Sequence, residues 1–320
     1  MQADGPWHTD NVRAMFDLPF NDLLFHTHMV HRKNFNPNEV QVSTLLSIKT
    51  GLCPEDCKYC TQSVHHKTPV ENKPLMDIDA IVAAAKKAKS TGATRFCMGA
   101  GWRSPKDRDF DLLDKVIREI KGLGLETCLT LGMLSDQQVN QLEAAGLDYY
   151  NHNIDTSPEY YKKIITTRTF EDRIETLKKV GQSKIKVCCG GIMGMGESID
   201  DRVNFLLALA EMETSPDSIP INILNPVPGT PLANTPPIDP LDFTRIVAVT
   251  RIMFPSARVR SSAGRHKMPE STQALCFFAG ANSIHYGEKL LTTDLPTPQV
   301  DDHMFDKLGL RKVPQKALCT

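Results

Sequence analysis

The sequence is short of everything that would send it to a membrane or a nucleic acid. Its 37 Lys and Arg are balanced by 38 Asp and Glu, so no basic surplus attracts phosphate backbones or an anionic bilayer. No apolar run approaches the roughly 20 residues a membrane helix needs. The opening Met-Gln-Ala-Asp-Gly-Pro-Trp has neither the basic nor the apolar region of a secretory signal. No low-complexity tract or Pro/Gly/Ser linker divides the chain, and the Pro-rich stretch 226–240 reads as a loop within one domain. An even set of cysteines is also missing. There are nine, in a chain long enough to bury a core without disulfide staples. Together these features predict a cytoplasmic, reducing setting in which cysteines bind metal or react.

Three of the cysteines fall close together in Cys53-Pro-Glu-Asp-Cys57-Lys-Tyr-Cys60, just after the apolar stretch 42–48. The spacing Cys-x3-Cys-x2-Cys supplies three thiolates where a fully ligated iron–sulfur cube takes four. One iron would then be free to bind something else. Zinc is the other reading. Structural zinc sites show paired Cys-x2-Cys or Cys/His units, and no second pair follows, but His65 and His66 would complete a Cys3His set. On the triplet alone both remain open.

Short apolar or β-branched runs alternate with helical patterns throughout. The runs predict strands at 42–48, 94–98, 126–131, 149–153, 185–190, 219–224, 258–262 and 282–285, and helices at 78–90, 107–121, 136–145, 170–180, 199–211, 239–254 and 270–278. In the first of these helices Ile81, Ala84, Ala85 and Ala88 share a stripe that Lys86, Lys87 and Lys89 largely avoid, as on the outer helix of a barrel. Eight strands joined by helices predict an α/β fold, a (β/α)8 TIM-type barrel. An open doubly wound sheet would give a similar alternation. The organisation expected is an N-terminal helical extension at 1–35, the barrel at 36–295 and a C-terminal segment at 296–320.

Barrel interiors are normally filled by Val, Ile and Leu. Here one face of each strand is polar or carries sulfur. Arg95 and Cys97 oppose Phe96 and Met98, and Cys128 with Glu126 and Thr130 opposes Leu129 and Leu131. Asn151, Asn153 and Asp155 share a face, Asn222 opposes Ile221 and Ile223, and Arg258, Arg260 and Ser262 oppose Val259. Ser43 and Ser283 join the set. If the apolar faces meet the helices, these groups point inward, where unpartnered polar groups are costly. A ligand inside the barrel resolves that cost. Cys97, Cys128, Cys188 and Arg260 then form a second candidate metal site. Free cysteines are also ordinary core residues, which is the better reading of Cys189 and Cys276; Cys319, beside the C-terminus, is uninformative. Gly190-Gly-Ile-Met-Gly-Met-Gly-Glu197 lacks the spacing of a dinucleotide fingerprint. It reads as a tight turn that lets backbone approach an adenine or ribose.

With Tyr59 before its third cysteine, the triplet resembles the signature of the radical S-adenosylmethionine enzymes. Tyr150-Asn-His-Asn-Ile-Asp-Thr-Ser157, Thr94-Arg-Phe-Cys-Met-Gly99 and Val259-Arg-Ser-Ser-Ala-Gly-Arg265 narrow the resemblance to the biotin-forming, sulfur-inserting family, from about residue 35 to about 295. The resemblance implies a 4Fe–4S cluster on Cys53, Cys57 and Cys60, with S-adenosylmethionine on its fourth iron, and a 2Fe–2S cluster on Cys97, Cys128, Cys188 and Arg260. It implies that a 5′-deoxyadenosyl radical takes hydrogen from dethiobiotin and that the second cluster donates sulfur. No side-chain acid or base is needed, because cofactors carry the hard step.

The resemblance also assigns Asn153 and Asp155 to the ribose hydroxyls, Ala100, Trp102 and Ile192 to the nucleoside, and Arg173 to the methionyl carboxylate. Asn151 and Asn222 would meet the ureido ring of dethiobiotin, and Thr292 and Thr293 its carboxylate. A flavodoxin- or ferredoxin-type electron donor and a homodimer are implied as well. Ser261 stands where the family pattern has an apolar residue, and Cys189 duplicates a thiol beside a ligand. Two other readings compete. A related barrel enzyme for rearrangement or cofactor assembly would have no clear use for a second, sacrificial cluster. An iron–sulfur electron carrier would not need Asn153, Asp155 or the Gly-rich strand end.

Overall fold

Two helices, α1 (Thr9–Asp17) and α2 (Phe20–Asn34), precede the first strand, β1 (Glu39–Lys49). Then come α3 (Ile78–Ser90), β2 (Arg95–Ala100), α4 (Phe110–Gly122), β3 (Glu126–Thr130), α5 (Asp136–Ala145) and β4 (Tyr149–Asn151). They are followed by α6 (Pro158–Ile164), α7 (Phe170–Gly181), β5 (Lys186–Cys188), β6 (Gly191–Met193), α8 (Ile199–Ala210) and β7 (Ser218–Ile223). The remaining elements are α9 (Pro240–Met253), β8 (Arg258–Ser261), α10 (Glu270–Phe278), β9 (Ser283–Leu290), β10 (Thr293–Asp294), α11 (Pro298–Leu308) and β11 (Arg311–Lys312). The structure, a computed structural model, describes residues 6–295 and 297–315; Cys319 lies outside them.

The strands pair in parallel in the order β1, β2, β3, β4, β5, β7, β8, β9, and β9 returns to β1. β6 also pairs with β7 and continues the line of β5 after a break at Cys189 and Gly190. Counted as one interrupted strand, β5 and β6 complete eight, which closes the expected (β/α)8 barrel and excludes the open sheet. The break has a steric cause. A Cβ on Gly190 would lie 1.9 Å from the Pro220 carbonyl oxygen, and one on Gly191 would lie 2.7 Å from that of Asp155. The room these two glycines provide is therefore taken by neighbouring backbone. Helix α6 was not separated from its surroundings by periodicity, although Ser157 caps it and Pro158 opens it.

The apolar faces do point outward. Phe96, Met98, Leu129, Tyr150, Val187, Ile219 and Val259 are buried against the helix layer. In α4 the stripe Phe110, Leu113, Val116, Ile117 and Ile120 faces the sheet, each side chain contributing about 1.5–3 kcal/mol on burial. Capping boxes at Ser135/Gln138, Thr169/Asp172 and Ser198/Asp201 start α5, α7 and α8 at defined residues, at about 1 kcal/mol per cap. The starts of α5 and α8 follow strand ends, and that of α7 follows the segment after α6, so the caps hold these loops in place. At the C-terminal side, β11 pairs with the start of β1, and the buried Arg265 guanidinium binds both oxygens of Asp301 in α11 at 2.8 and 2.5 Å.

Helix α2 lies along α9, and its Thr27 hydroxyl donates to the carbonyls of Ala248 and Ala279. One turn on, His31 is fully buried with both ring nitrogens unpartnered. Burial, helped by the charges of Arg251 and Arg258, lowers its pKa from 6.5 to about 3. The folded value is the lower one, so the unfolded chain takes up the proton first. The contribution to stability is complete above 6.5 and is lost as pH falls toward 3. Between about pH 7 and pH 5 the parent should lose on the order of 1–2 kcal/mol that a His31→Leu variant keeps. Melting curves at the two pH values check this; equal acid sensitivity of parent and variant would count against it.

Candidate functional site

β1 runs into the loop that carries the cysteine triplet. The loop folds on itself through Cys53 N–H to the Gln62 carbonyl, Val64 N–H to that of Cys53 and Cys60 N–H to that of Cys57, each 2.9 Å. It is then latched to the segment between α6 and α7. Lys58 N–H donates to the Ile164 carbonyl at 3.1 Å, and Asp56 accepts from the backbone N–H groups of Thr166 and Thr167 at 2.9 and 3.1 Å. Partial burial raises the Asp56 pKa, but these bonds and the threonine hydroxyls outweigh it and hold Asp56 at about 2. The buried Glu55 carboxylate accepts from Arg103 at 3.0 Å and from the Thr167 hydroxyl.

Burial pushes all three thiols of the triplet up, Cys60 to about 12 with its neighbour Cys57 adding to the effect. Ionising them there requires a bound cationic centre. Among the described residues no three His, Cys, Asp or Glu side chains converge on one point as ligands of a single ion. The histidines that would complete a zinc site face carbonyls instead, His65 Nε2 at 3.1 Å from Pro54 and His66 Nε2 at 3.0 Å from Cys57. The donor chemistry, three thiols in one loop with Cys53 and Cys57 buried, fits an iron–sulfur cluster.

Deeper in the barrel, Cys97, Cys128, Cys188 and Tyr149 pack together with Leu45, apart from the main core. Cys97 and Cys128 are direct partners across β2 and β3. The three thiols influence one another: Cys188 and Cys97 push Cys128 well up, while the neighbouring Cys128, with the Arg260 and Arg95 charges, brings Cys188 down against the cost of burial. Three close thiols facing two cations are a donor set that suits a charged metal centre. Arg260, 2% exposed, is aimed by the hydroxyls of Ser283 at 3.0 Å and Ser43 at 3.2 Å. Below them, Arg95 stacks on Tyr149 at 3.4 Å and bonds Glu126 at 3.1 Å, while Gln41 bonds the same carboxylate. This lower layer plugs the barrel.

Above the thiols a cavity opens. Its volume is about 250 Å³, just under the ~300–1,000 Å³ of an ordinary small-molecule cleft. Cys60, Cys97, Cys128, Arg260, Asn151, Asn153, Asp155, Ile192, Asn222, Thr292 and Thr293 all line it. Cys53, Cys57, Cys188, Ala100, Trp102 and Arg173 stand outside its wall. Ala100 and Trp102 are half-buried against the main core.

Several lining groups are already held by the protein. The Asn151 amide donates to the Thr130 hydroxyl at 3.1 Å, and the Asn153 side-chain carbonyl accepts Gly190 N–H at 3.1 Å. Asn222 donates to the Gly191 carbonyl at 2.9 Å and accepts Ala263 N–H at 3.1 Å. Thr292 meets Thr61 at 2.8 Å, and Thr293 donates to the Leu290 carbonyl at 3.1 Å. Asp155 is the most constrained. Its φ is +68°, in the left-handed region that Asp tolerates better than most residues. Its Oδ2 accepts from Arg173 at 2.6 Å and from the Tyr59 hydroxyl at 2.7 Å. Arg173 is 5% exposed and also donates to the Tyr161 hydroxyl.

Three neighbours of the site were not identified from the sequence: the Tyr59 hydroxyl on Asp155, Arg168 beside Cys57, and His285 in the cavity wall. His285 had a usable signal, since it lies two residues from inward-facing Ser283 on one strand face. Burial and Arg260 keep its ring neutral. Cys189 and Cys276 are core residues, as expected. Ser261 is buried too, paired with Ile221 and Ile284 on the adjoining strands.

Residues 47–209 match the Radical SAM superfamily and residues 220–311 the Biotin and Thiamin Synthesis associated domain. The chain is 56% identical over 314 residues to the biotin synthase of Marinobacter nauticus, covering 98% of this chain and 89% of that one. It is 58% identical over 308 residues to the biotin synthase of Parvibaculum lavamentivorans, with coverages of 96% and 91%. Among solved structures, a methylornithine synthase superposes with a TM-score of 0.82 at 18% identity over 98% of this chain and 96% of that one. The FeFe-hydrogenase maturase of Carboxydothermus hydrogenoformans gives 0.82 at 15% identity, over 98% and 79%. At such identities the two structures speak for the fold alone.

Proposed function

Because the chain belongs to the biotin synthase family, within the radical S-adenosylmethionine enzymes, we propose that it converts dethiobiotin to biotin by inserting sulfur at carbons that no acid or base can activate. The observation that carries the reading is two separate thiol sets, one in a loop and one in the barrel, with a polar-lined cavity over the deeper set. When bound, a 4Fe–4S cluster with S-adenosylmethionine supplies a 5′-deoxyadenosyl radical, and a 2Fe–2S cluster supplies the sulfur.

The chain's own residues hold and orient. Cys53, Cys57 and Cys60 would carry the first cluster, and Cys97, Cys128, Cys188 and Arg260 the second. Asp155, fixed by Arg173 and Tyr59, and Asn153 beside it would bind the ribose hydroxyls of S-adenosylmethionine. Ala100, Trp102 and Ile192 would flank its nucleoside, and Arg173 its carboxylate. Asn151 and Asn222 present amide groups that suit the ureido ring, which offers both N–H donors and a carbonyl. Thr292 and Thr293, at the turn closing the cavity's rim, would receive the substrate carboxylate. The barrel wall keeps water and stray hydrogen donors from the reacting carbon and holds donor and acceptor in line.

The enzyme would act in the cytoplasm as a homodimer, drawing electrons from a flavodoxin- or ferredoxin-type protein. Among the described residues no helix is long and apolar enough to cross a membrane. The test is anaerobic reconstitution, a count of iron and sulfide, and incubation with reductant, S-adenosylmethionine and dethiobiotin. Formation of both 5′-deoxyadenosine and biotin is expected. Absence of 5′-deoxyadenosine would overturn the radical reading, and its appearance without biotin would move the assignment to a related barrel enzyme.

A further inference from the structure

We propose that Arg168 is a positioning residue for the cysteine loop, donating a hydrogen bond to the Cys57 sulfur and thereby setting how readily a cluster held there accepts an electron. The inference rests on reading Cys53, Cys57 and Cys60 as cluster ligands. Its starting point is a buried cation with an unfinished set of partners. Arg168 is 9% exposed, and its Nη2 lies 3.8 Å from Cys57 Sγ, within range for a sulfur acceptor. Its Nε and Nη1 are buried without a hydrogen-bond partner. The nearest carboxylate oxygen, Glu55 Oε2, stands 3.9 Å from Nε, too far for a hydrogen bond. That carboxylate is already engaged by Arg103 and Thr167.

Arg173, the other guanidinium near Cys57, is hydrogen-bonded to Asp155 and Tyr161 instead of to sulfur. A buried guanidinium with a neutral thiol as its hydrogen-bond acceptor is poorly compensated, whereas an anionic ligand sulfur completes it. Hydrogen bonds to ligand sulfur are among the levers that set cluster potentials. A cation at that sulfur favours the state with one more electron, so Arg168 eases a one-electron reduction for which an external reductant such as dithionite supplies the electron.

The experiment compares the anaerobically reconstituted parent with Arg168→Met and Arg168→Lys, by iron count and by redox titration of the loop cluster followed by electron paramagnetic resonance. Arg168→Met should bind iron as the parent does but show about a tenfold lower ratio of reduced to oxidised cluster at a fixed potential, a shift of about 59 mV for one electron. Arg168→Lys keeps the charge without the planar fork and should fall between the two. A cluster in Arg168→Met that titrates with the parent overturns the inference, as does a loss of iron in which the remaining cluster is unshifted. If the Met variant does not fold, the Lys variant decides: a shift toward the oxidised state supports the role, and coincidence with the parent overturns it. A parent that binds no cluster on the loop overturns the ligand reading itself, which is distinguishable from iron present with an unmoved potential.

Discussion

Replacing Cys128 with Ala should abolish biotin formation while part of the S-adenosylmethionine cleavage survives. Cys128 packs in the deep trio with Cys97, its direct partner on the next strand, and Cys188. Its loss removes one of the three thiols, and the lower donor set can no longer close. The loss in biotin should exceed the ~10–100-fold typical of changes to outer partners of a metal site. The cysteine loop is latched independently, through Asp56 and Glu55 to the segment ahead of α7, so it should keep its own iron. Quantifying 5′-deoxyadenosine and biotin from the same reaction, beside an iron count, tests the separation. If both products fall together in a variant that retains the loop's iron, the two thiol sets do not have separate roles.

Arg173→Met should cost both stability and activity. The Arg173–Asp155 pair is almost fully buried, with side-chain exposures of 6% and 3%. Removing one partner strands the other's charge, at about 3–5 kcal/mol. Tyr59 alone would then face the Asp155 carboxylate, whose backbone is already in the left-handed region. A drop of the order of 10 °C in melting temperature is expected for the variant, along with loss of S-adenosylmethionine binding. The double variant Arg173→Met/Asp155→Leu should regain part of the stability, since no lone charge remains, but none of the activity. A single variant as stable as the parent would mean that Asp155 is neutralised by other groups, and the account of the pair would fail.

Strand parity was enough to find the deep site. Cys97, Cys128 and Arg260 oppose the Phe96, Leu129 and Val259 side chains that pack outward, and in regular strands that opposition survives folding. The eight-strand count was also readable, apart from the interruption at Cys189 and Gly190. No propensity reports that break, because its cause is the approach of Pro220, about thirty residues away in sequence. The loop residues were less legible for a similar reason. Arg168 reaches Cys57 and Tyr59 reaches Asp155 across 111 and 96 positions of chain, and a loop has no periodicity to say where its side chains point. Arg173 was reached through the family resemblance, which did not pair it with Asp155.

The layer of Arg95, Tyr149, Glu126 and Gln41 under the thiols makes the barrel a blind tube with one mouth. Such a tube works like a stack, in which what goes in first comes out last. If Cys97, Cys128 and Cys188 hold a cluster, its iron and sulfide would have to arrive before any ligand settled above them, and replacements would have to wait until that ligand had left. The time between rounds would then be set by departures at the rim, however fast the chemistry beneath.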